Sequence, residues 1–355
     1  MNYHTTYAVD VAKSVFEIAV SHHPGHVREC HRLSRERLVT FFAKQKPGIV
    51  FLEACGSAHH WARTLRSLGH HIVLLPPHRV RPYVTGNKTD RADAKALLEA
   101  ARNQDIRPVP VKSIDQQSLA ALHRLRSAWI AARTARINTV RGLLRELGVF
   151  IPLGAKRVRP AVAELLEDPD SLLPHALRPA IAEAADEICE FERRLASTES
   201  QLHTLGQSIP DVQLLMTIPG IGLITATALV AFIGSVQRFP SGRHFASYLG
   251  LTPKEHSSGL TRRLGAISKR GDTYIRMLLV HGARSILWGA KRKANPDPIQ
   301  LWALNLERLR GHNKAAVALA NKLARITWAV WRNQRPYERR TTPSLPSDTE
   351  PATDC

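Results

Sequence analysis

Cysteine is scarce. Only Cys30, Cys55, Cys189 and Cys355 occur among 355 residues, far apart and without a CxxC pair. That spacing excludes a disulfide framework and a thiolate zinc site, and it fits free thiols in a reducing compartment. Nor do the 17 histidines supply an alternative, because no HxH or HExxH spacing joins them. Long apolar runs are missing as well. No stretch approaches the roughly 18 residues of a spanning helix, and the N-terminus lacks the basic-then-apolar order of a secretory leader. The expected location is therefore cytoplasmic, with no membrane partner. The third shortage is of acid. Asp and Glu number 30 against 50 Lys and Arg, a formal net charge of +20. The basic residues are spread over the whole length, which favours nucleic acid over a membrane surface as the polyanionic partner.

What is present changes character along the chain. At 355 residues the sequence is long for one core and implies more than one domain. Within residues 1–110, "TTYAVDVAKSVFEIAVSH" predicts two strands about a turn near Ala12 to Ser14, and "VRECHRL", "GIVFLEA" and "HHIVLLP" predict three more. "RERLVTFFAKQ" and "SAHHWARTLRSLG" predict helices between them. Hairpin-linked strands followed by alternating β and α elements imply an α/β domain, a mixed sheet with helices packed on it. Residues 111–208 read as two long helices, a hairpin or coiled-coil-like arm. The first, from about Asp115 to Gly148, carries Arg124, Arg126, Arg133, Arg136, Arg141 and Arg145, with Glu146 as its only acid beyond Asp115 at its start. That excess marks Arg124, Arg133 and Arg141 as candidate contacts to a phosphate backbone. Residues 209–337 read as a mainly α-helical domain broken by glycine turns. Residues 338–355, rich in Pro, Ser, Thr and charge, read as a disordered tail.

Against so basic a background, a few carboxylates stand out. Asp10 ends the apolar run "YAVD", and Glu53 ends "GIVFLE". An acid on an interior strand is costly unless it is paired or bound to metal. In "NKTDRADAKALLEA", Asp90 and Asp93 lie three apart on one helical face, beside Lys88, Arg91 and Lys95. Asp90 has an alternative role as helix cap, and Asp93 as the partner of a neighbouring cation. Glu17 also lies on a strand, but alternation in "VFEIAV" suggests an outward position. Hard oxygen ligands of this kind suit Mg²⁺ or Mn²⁺, and two such ions support in-line displacement at phosphorus.

These three blocks, "YAVDVAKSVFEIAV", "FLEACGSAHHWARTL" and "NKTDRADAKALLEA", resemble the DEDD-type transposases of the one-hundred-and-ten family of insertion sequences, to which pilin-gene invertases are related. The resemblance implies an RNase H-like (RuvC-like) first domain. By motif it places a metal-binding catalytic tetrad on Asp10, Glu53, Asp90 and Asp93, with Lys88 and Arg91 beside nucleic acid.

A second group of motifs lies further on. In "TIPGIGLITATALVAFIG", Gly220 and Gly222 precede an apolar helix, as in a helix-hairpin-helix turn that brings backbone N–H groups to a DNA phosphate; the alternative is a tight helix–helix turn. Between Arg243 and Lys293 there are eleven Lys and Arg but only two acids, Glu255 and Asp272. In this stretch Ser257 and Ser258 precede Gly259, followed by Arg262, Arg263, Lys269 and Arg270. A serine that attacks phosphorus needs a turn, nearby cations and a proton acceptor. Nothing local separates Ser257 from Ser258. Glu255 and His256 read as loop residues, Arg276 and Arg284 as groove-lining, and Trp328 and Trp331 as core.

The order "PGIG…FASYLGLTP…SG…ISKRG" is similar to the same family's C-terminal domain, whose serine, linked covalently to a DNA 5′ phosphate, aligns with Ser258. The resemblance further implies donor and target DNA, a structured guide (bridge) RNA encoded beside the gene, and a homodimer that becomes a tetramer when two duplexes are joined, at the nucleoid. The competing readings are a junction-resolving nuclease that uses the tetrad with water, and a non-catalytic nucleic-acid-binding protein.

Overall fold

Alternating apolar residues build a five-stranded sheet from β1 (Thr6–Val11), β2 (Val15–Ser21), β3 (Glu29–Ser34), β4 (Ile49–Glu53) and β5 (His71–Leu75). The strand order is β3-β2-β1-β4-β5. The first three strands are antiparallel, and β4 and β5 run parallel to β1. This computed structural model describes residues 5–23, 26–84 and 89–338; the side chain of Asp90 is outside that description, as are Lys88 and the expected tail from residue 339 onward.

Both faces of the sheet are covered. On one, Val9, Phe16, Ile18, Val50, Leu52 and Leu74 pack with Phe42 of α1 (Arg35–Ala43) and with Trp61 and Leu65 of α2 (Ala58–Ser67). On the other, Ala8, Ala19 and Leu75 meet Val80 of α3 (Pro77–Val80) and Ala94, Ala96, Leu97 and Ala100 of α4 (Asp90–Ala101). Alanines on both sides of that contact bring α4 close to the sheet. Cover on both faces is the usual setting of strands that run parallel.

The chain divides into two units, residues 1–113 and 114–355. In the second, α5 (Ile114–Glu146) and α7 (Arg178–Gln207) lie antiparallel, joined through α6 (Val158–Glu167). Ion pairs step along them: Arg126–Glu199 at 2.8 Å, Arg133–Glu192 at 3.7 Å, and Arg136–Glu187. Ile137, Val140 and Leu144 pack with Val158, Val162, Ile181 and Ile188 at one end. At the other end, Leu119 and Leu202 enter a large core. That core is made with α8 (Pro210–Met216), α9 (Leu223–Ile233), α10 (Gly242–Tyr248), α11 (Thr273–Ala290), α12 (Pro298–Arg310) and α13 (His312–Asn333). Helix α9 is buried nearly all round, from Thr225 to Ala231. Buried His123 of α5 ties into it: its ring nitrogens sit 3.0 Å from Thr227 Oγ1 of α9 and 3.0 Å from the Tyr274 Oη of α11. No helix among the described residues is long and apolar enough to cross a membrane.

One element departs from the mainly helical expectation. Residues 253–267 form a two-stranded hairpin, β6 (Pro253–Glu255) and β7 (Leu264–Ile267), and it carries both candidate serines.

Candidate active site

The carboxylate edge follows from strand register. Val9 pairs with Leu52 across parallel β1 and β4, so the next residues, Asp10 and Glu53, end neighbouring strands side by side. They share the face of Ala8 and Phe51, which is the face that α4 covers. Cys55 lies beside both carboxylates at this edge. Its Sγ lies 3.8 Å from the Val11 carbonyl, and burial first, then the charges of Glu53 and Asp10, push its thiol up.

Asp93 stands one turn before Ala96 and Leu97, on the stripe of α4 that meets the sheet, and is half-buried, whereas Arg91 and Lys95 are exposed. The cap of this helix is Thr89, whose Oγ1 accepts from the Ala92 N–H at 3.2 Å. Asp90 is therefore not the N-cap. Among the described residues, no three acidic, histidine or cysteine side chains converge closely enough to hold a metal. The fit to a divalent cation rests on donor chemistry: hard carboxylate oxygens on two adjacent strand ends, faced by a helix that carries two more.

Glu17 is not outward. It pairs in register with Asp10 across β1 and β2, its side chain is only 13% exposed, and Arg32 Nε lies 3.5 Å from it. Strand β2 is an interior strand covered on both faces, so alternation along it does not point to solvent.

The serine hairpin separates the two candidates. Ser258 and Thr261 exchange backbone hydrogen bonds of 3.3 and 3.1 Å around Gly259 and Leu260. Gly259 has φ 56°, as the first position of a two-residue II′-type hairpin turn requires. Ser257 is engaged on both sides: its hydroxyl donates to Glu255 Oε1 at 2.8 Å and accepts from the Arg263 N–H at 3.2 Å. Arg262 Nε lies 3.3 Å from the same Glu255 oxygen, so Glu255 is a hub of the hairpin rather than a bystander in a loop. The exposed Ser258 hydroxyl, at the brink of the turn, makes no hydrogen bond to a described residue.

At its base the hairpin is clamped. Gly250 (φ 71°) and Gly271 (φ 80°) cross so closely that an added Cβ would lie 2.1 Å from the Arg270 carbonyl or 2.0 Å from that of Tyr248. Buried Arg276 donates to the carbonyls of Leu249 and Arg270, at 3.1 Å each. It is thus a clamp rather than a groove-lining cation, while Arg284 reaches Asn313 at 3.1 Å.

The chain has recognisable relatives. A model described as the IS116/IS110/IS902 transposase family matches residues 212–295, and a DEDD transposase model matches residues 7–149. A probable family 20 transposase of Pseudomonas aeruginosa is 43% identical over 333 residues, covering 93% of this chain and 97% of its own. The transposase of insertion sequence element IS1111A from Coxiella burnetii is 38% identical, covering 93% of this chain and 90% of its own. This chain belongs to the IS110 family of transposases. A pilin gene-inverting protein of Moraxella lacunata is 30% identical over 162 residues, 44% of this chain and 48% of its own.

The transposase is thus an enzyme acting on DNA, and its first domain is the RNase H-like DEDD type, a class that implies a divalent metal. Its other candidate contacts differ in how far their own fold engages them. Arg124, Arg262, Arg263, Lys269 and Arg270 are exposed. Arg133 faces Glu192, and Arg141 donates to the carbonyls of Pro152 and Gly154 at 2.6 and 3.0 Å, contacts that hold the helical pair and its loop. In the turn between α8 and α9, Gly222 is exposed with nothing within 4 Å of an added Cβ. Gly220, at φ 81°, instead packs on α11, where an added Cβ would meet the Gly282 carbonyl at 2.9 Å. The requirement for glycine at 220 is explained by that packing.

Proposed function

We propose that this transposase cuts and rejoins DNA through Ser258, with a carboxylate tetrad holding Mg²⁺. The observation that carries the reading is the exposed, unengaged Ser258 hydroxyl at a clamped hairpin turn, with Arg262 and Arg263 following it. Ser258 Oγ attacks a backbone phosphorus. The Oγ–P bond forms as the P–O3′ bond breaks, and the serine proton leaves while the 3′ oxygen gains one. The DNA 5′ phosphate stays on the serine, so an incoming 3′ hydroxyl reverses the exchange without an external energy source. Arg262 and Arg263 offset the charge that develops on the phosphate oxygens. Asp10, Glu53, Asp90 and Asp93 would hold the cation, which supplies electrostatic stabilisation at phosphorus.

Exposed Arg124, Lys269, Arg270 and Gly222 are assigned to the nucleic-acid surface, and the α5–α7 pair to a coiled-coil-like arm. The family resemblance extends the proposal to a guide RNA encoded beside the gene, to a homodimer in which one subunit's carboxylates serve the other's serine, and to a tetramer at synapsis. A second reading has its own observation: Ser257, 2.8 Å from the Glu255 carboxylate, resembles a nucleophile with its base.

The test is covalent capture. Protein, Mg²⁺, RNA from the flanking region and labelled donor and target DNA are incubated, denatured and resolved for DNA-linked protein. An adduct abolished by Ser258→Ala, by Asp10→Asn and by chelation, but retained in Ser257→Ala, is the expected result. An adduct lost only in Ser257→Ala moves the nucleophile by one residue. Cleavage without adduct, indifferent to both serines, would mean a nuclease that uses water.

A further inference from the structure

Beside the base of the serine hairpin lies a groove of about 1520 Å³, bounded by α10, the hairpin strands, α12 and α13. It exceeds the roughly 300–1,000 Å³ of a small-molecule site, so its size suits a polymer segment. Its floor is apolar, with Leu251, Ile267, Val317 and Trp328 among the lining residues, and Trp302 stands at its side, 38% exposed. Its cations are Arg243, Lys314, Lys322 and Arg325; among the described residues no Asp or Glu lines it, and Asp297 and Glu338 belong to a smaller neighbouring cavity that shares Lys322. None of the four has a carboxylate partner among the described residues.

On α13, Lys314, Ala318, Asn321, Arg325 and Ala329 recur at three- and four-residue spacing along one face. That stripe is roughly 22 Å long at the helical rise of about 1.5 Å per residue. Lys322 Nζ sits 4.3 Å from the centroid of the Trp302 ring, which holds a positive charge against an aromatic wall. Burial, and then the like charge of Arg325, push the Lys322 ammonium down, so an anion arriving here compensates a partly desolvated cation that stands beside a second one.

We infer that this groove seats an unpaired stretch of the DNA strand beside the serine hairpin, bases against the apolar floor and Trp302, phosphates on Arg243, Lys314, Lys322 and Arg325. An apolar floor with an acid-free cationic rim is the combination that single-stranded nucleic acid requires, since stacking and phosphate contact must act together. A duplex offers its phosphates but keeps its base faces buried. A second copy of this chain, also at +20, brings like charge to the same rim. DNA is the strand named because the groove adjoins Ser258's hairpin, so the inference rests on the recombination reading for its occupant.

The test measures fluorescence anisotropy of full-length protein with a labelled 12-nucleotide dT strand, a duplex of equal length and a 12-nucleotide rU strand. Trp302→Ala is expected to weaken dT binding about tenfold, within the range of one lost base stack. Lys314→Gln combined with Arg325→Gln changes exposed side chains only and tests the rim should Trp302→Ala unfold. Both variants should change duplex affinity less than twofold and leave the circular dichroism melt in place. Undiminished dT binding in both overturns the inference, as does equal loss on the duplex. Stronger rU than dT binding, lost in the same variants, assigns the groove to RNA and overturns the DNA assignment. A fall in sedimentation coefficient with dT binding intact makes it an interface between copies. Ser258→Ala should bind dT like the wild type, so a failed adduct experiment and a failed groove remain separable.

Discussion

At the scale of the residue, His123 shows how a polar group is used inside an apolar core. It is 1% exposed, and burial first, then the charge of Arg126, lowers it from 6.5 to about 4. Its folded value lies below its unfolded one, so the unfolded chain binds the extra proton between those limits. Stability from this group is complete above about pH 6.5 and is lost as pH falls toward 4, a swing of about 3 kcal/mol. Urea unfolding of wild type and His123→Gln across pH 4 to 7.5 checks it, and the variant should show the shallower slope.

Single carboxylates were unevenly legible. Asp10 and Glu53 could be found because each ends an apolar run, where a charge is out of place. Glu17 reads as outward because the second buried face of its strand is built from alanines that look neutral in sequence. Thr89 is legible too, because Thr ahead of a first turn that carries Asp is a signal of a helix cap.

The element scale is where glycine and arginine fix the serine hairpin. Strands of three and four residues, exposed but for half-buried Ile267, are too short to alternate, so β6 and β7 leave no periodic trace in the sequence. What holds them is the crossing of Gly250 and Gly271, with Arg276 bonded to carbonyls on both sides. Gly250→Ala puts a Cβ against the Arg270 carbonyl at a left-handed φ and should cost about 2 kcal/mol or more. Arg276→Lys keeps a charge but cannot reach both carbonyls. It should lower the rate of adduct formation more than it lowers DNA affinity, which a comparison of single-turnover rate with anisotropy resolves. Had Arg276 lined a DNA groove, affinity would fall first. Its spacing from Arg284 in the sequence suggested a groove, because periodicity reports a shared face and not what that face packs against.

Over the whole molecule, a formal charge of +20 does not equal a count of phosphate contacts. Along α5 the arginines divide: Arg126, Arg133 and Arg136 face glutamates of α7, Arg141 holds backbone carbonyls, and Arg124 is exposed. Within this one helix the sequence places six arginines against two acids, Asp115 and Glu146 at its ends, and the neutralising glutamates arrive from a helix some 50 to 70 residues away. Salt titration separates the two populations. Each phosphate neutralised on B-DNA contributes about −0.9 to the slope of log K against log salt. Replacing exposed Arg263 and Arg270, which have no carboxylate partner among the described residues, by Gln should therefore make the slope for duplex DNA shallower by nearly 2, at about −0.9 each. Replacing Arg126 and Glu199 together by Gln should leave that slope unchanged while lowering the melting temperature, because Arg126 is only 19% exposed and its charge is spent on α7. If instead the Arg126 variant lost slope and kept its stability, the arginines of α5 would have to be reckoned as DNA contacts, and the ion pairs along α5 and α7 as partners that DNA displaces.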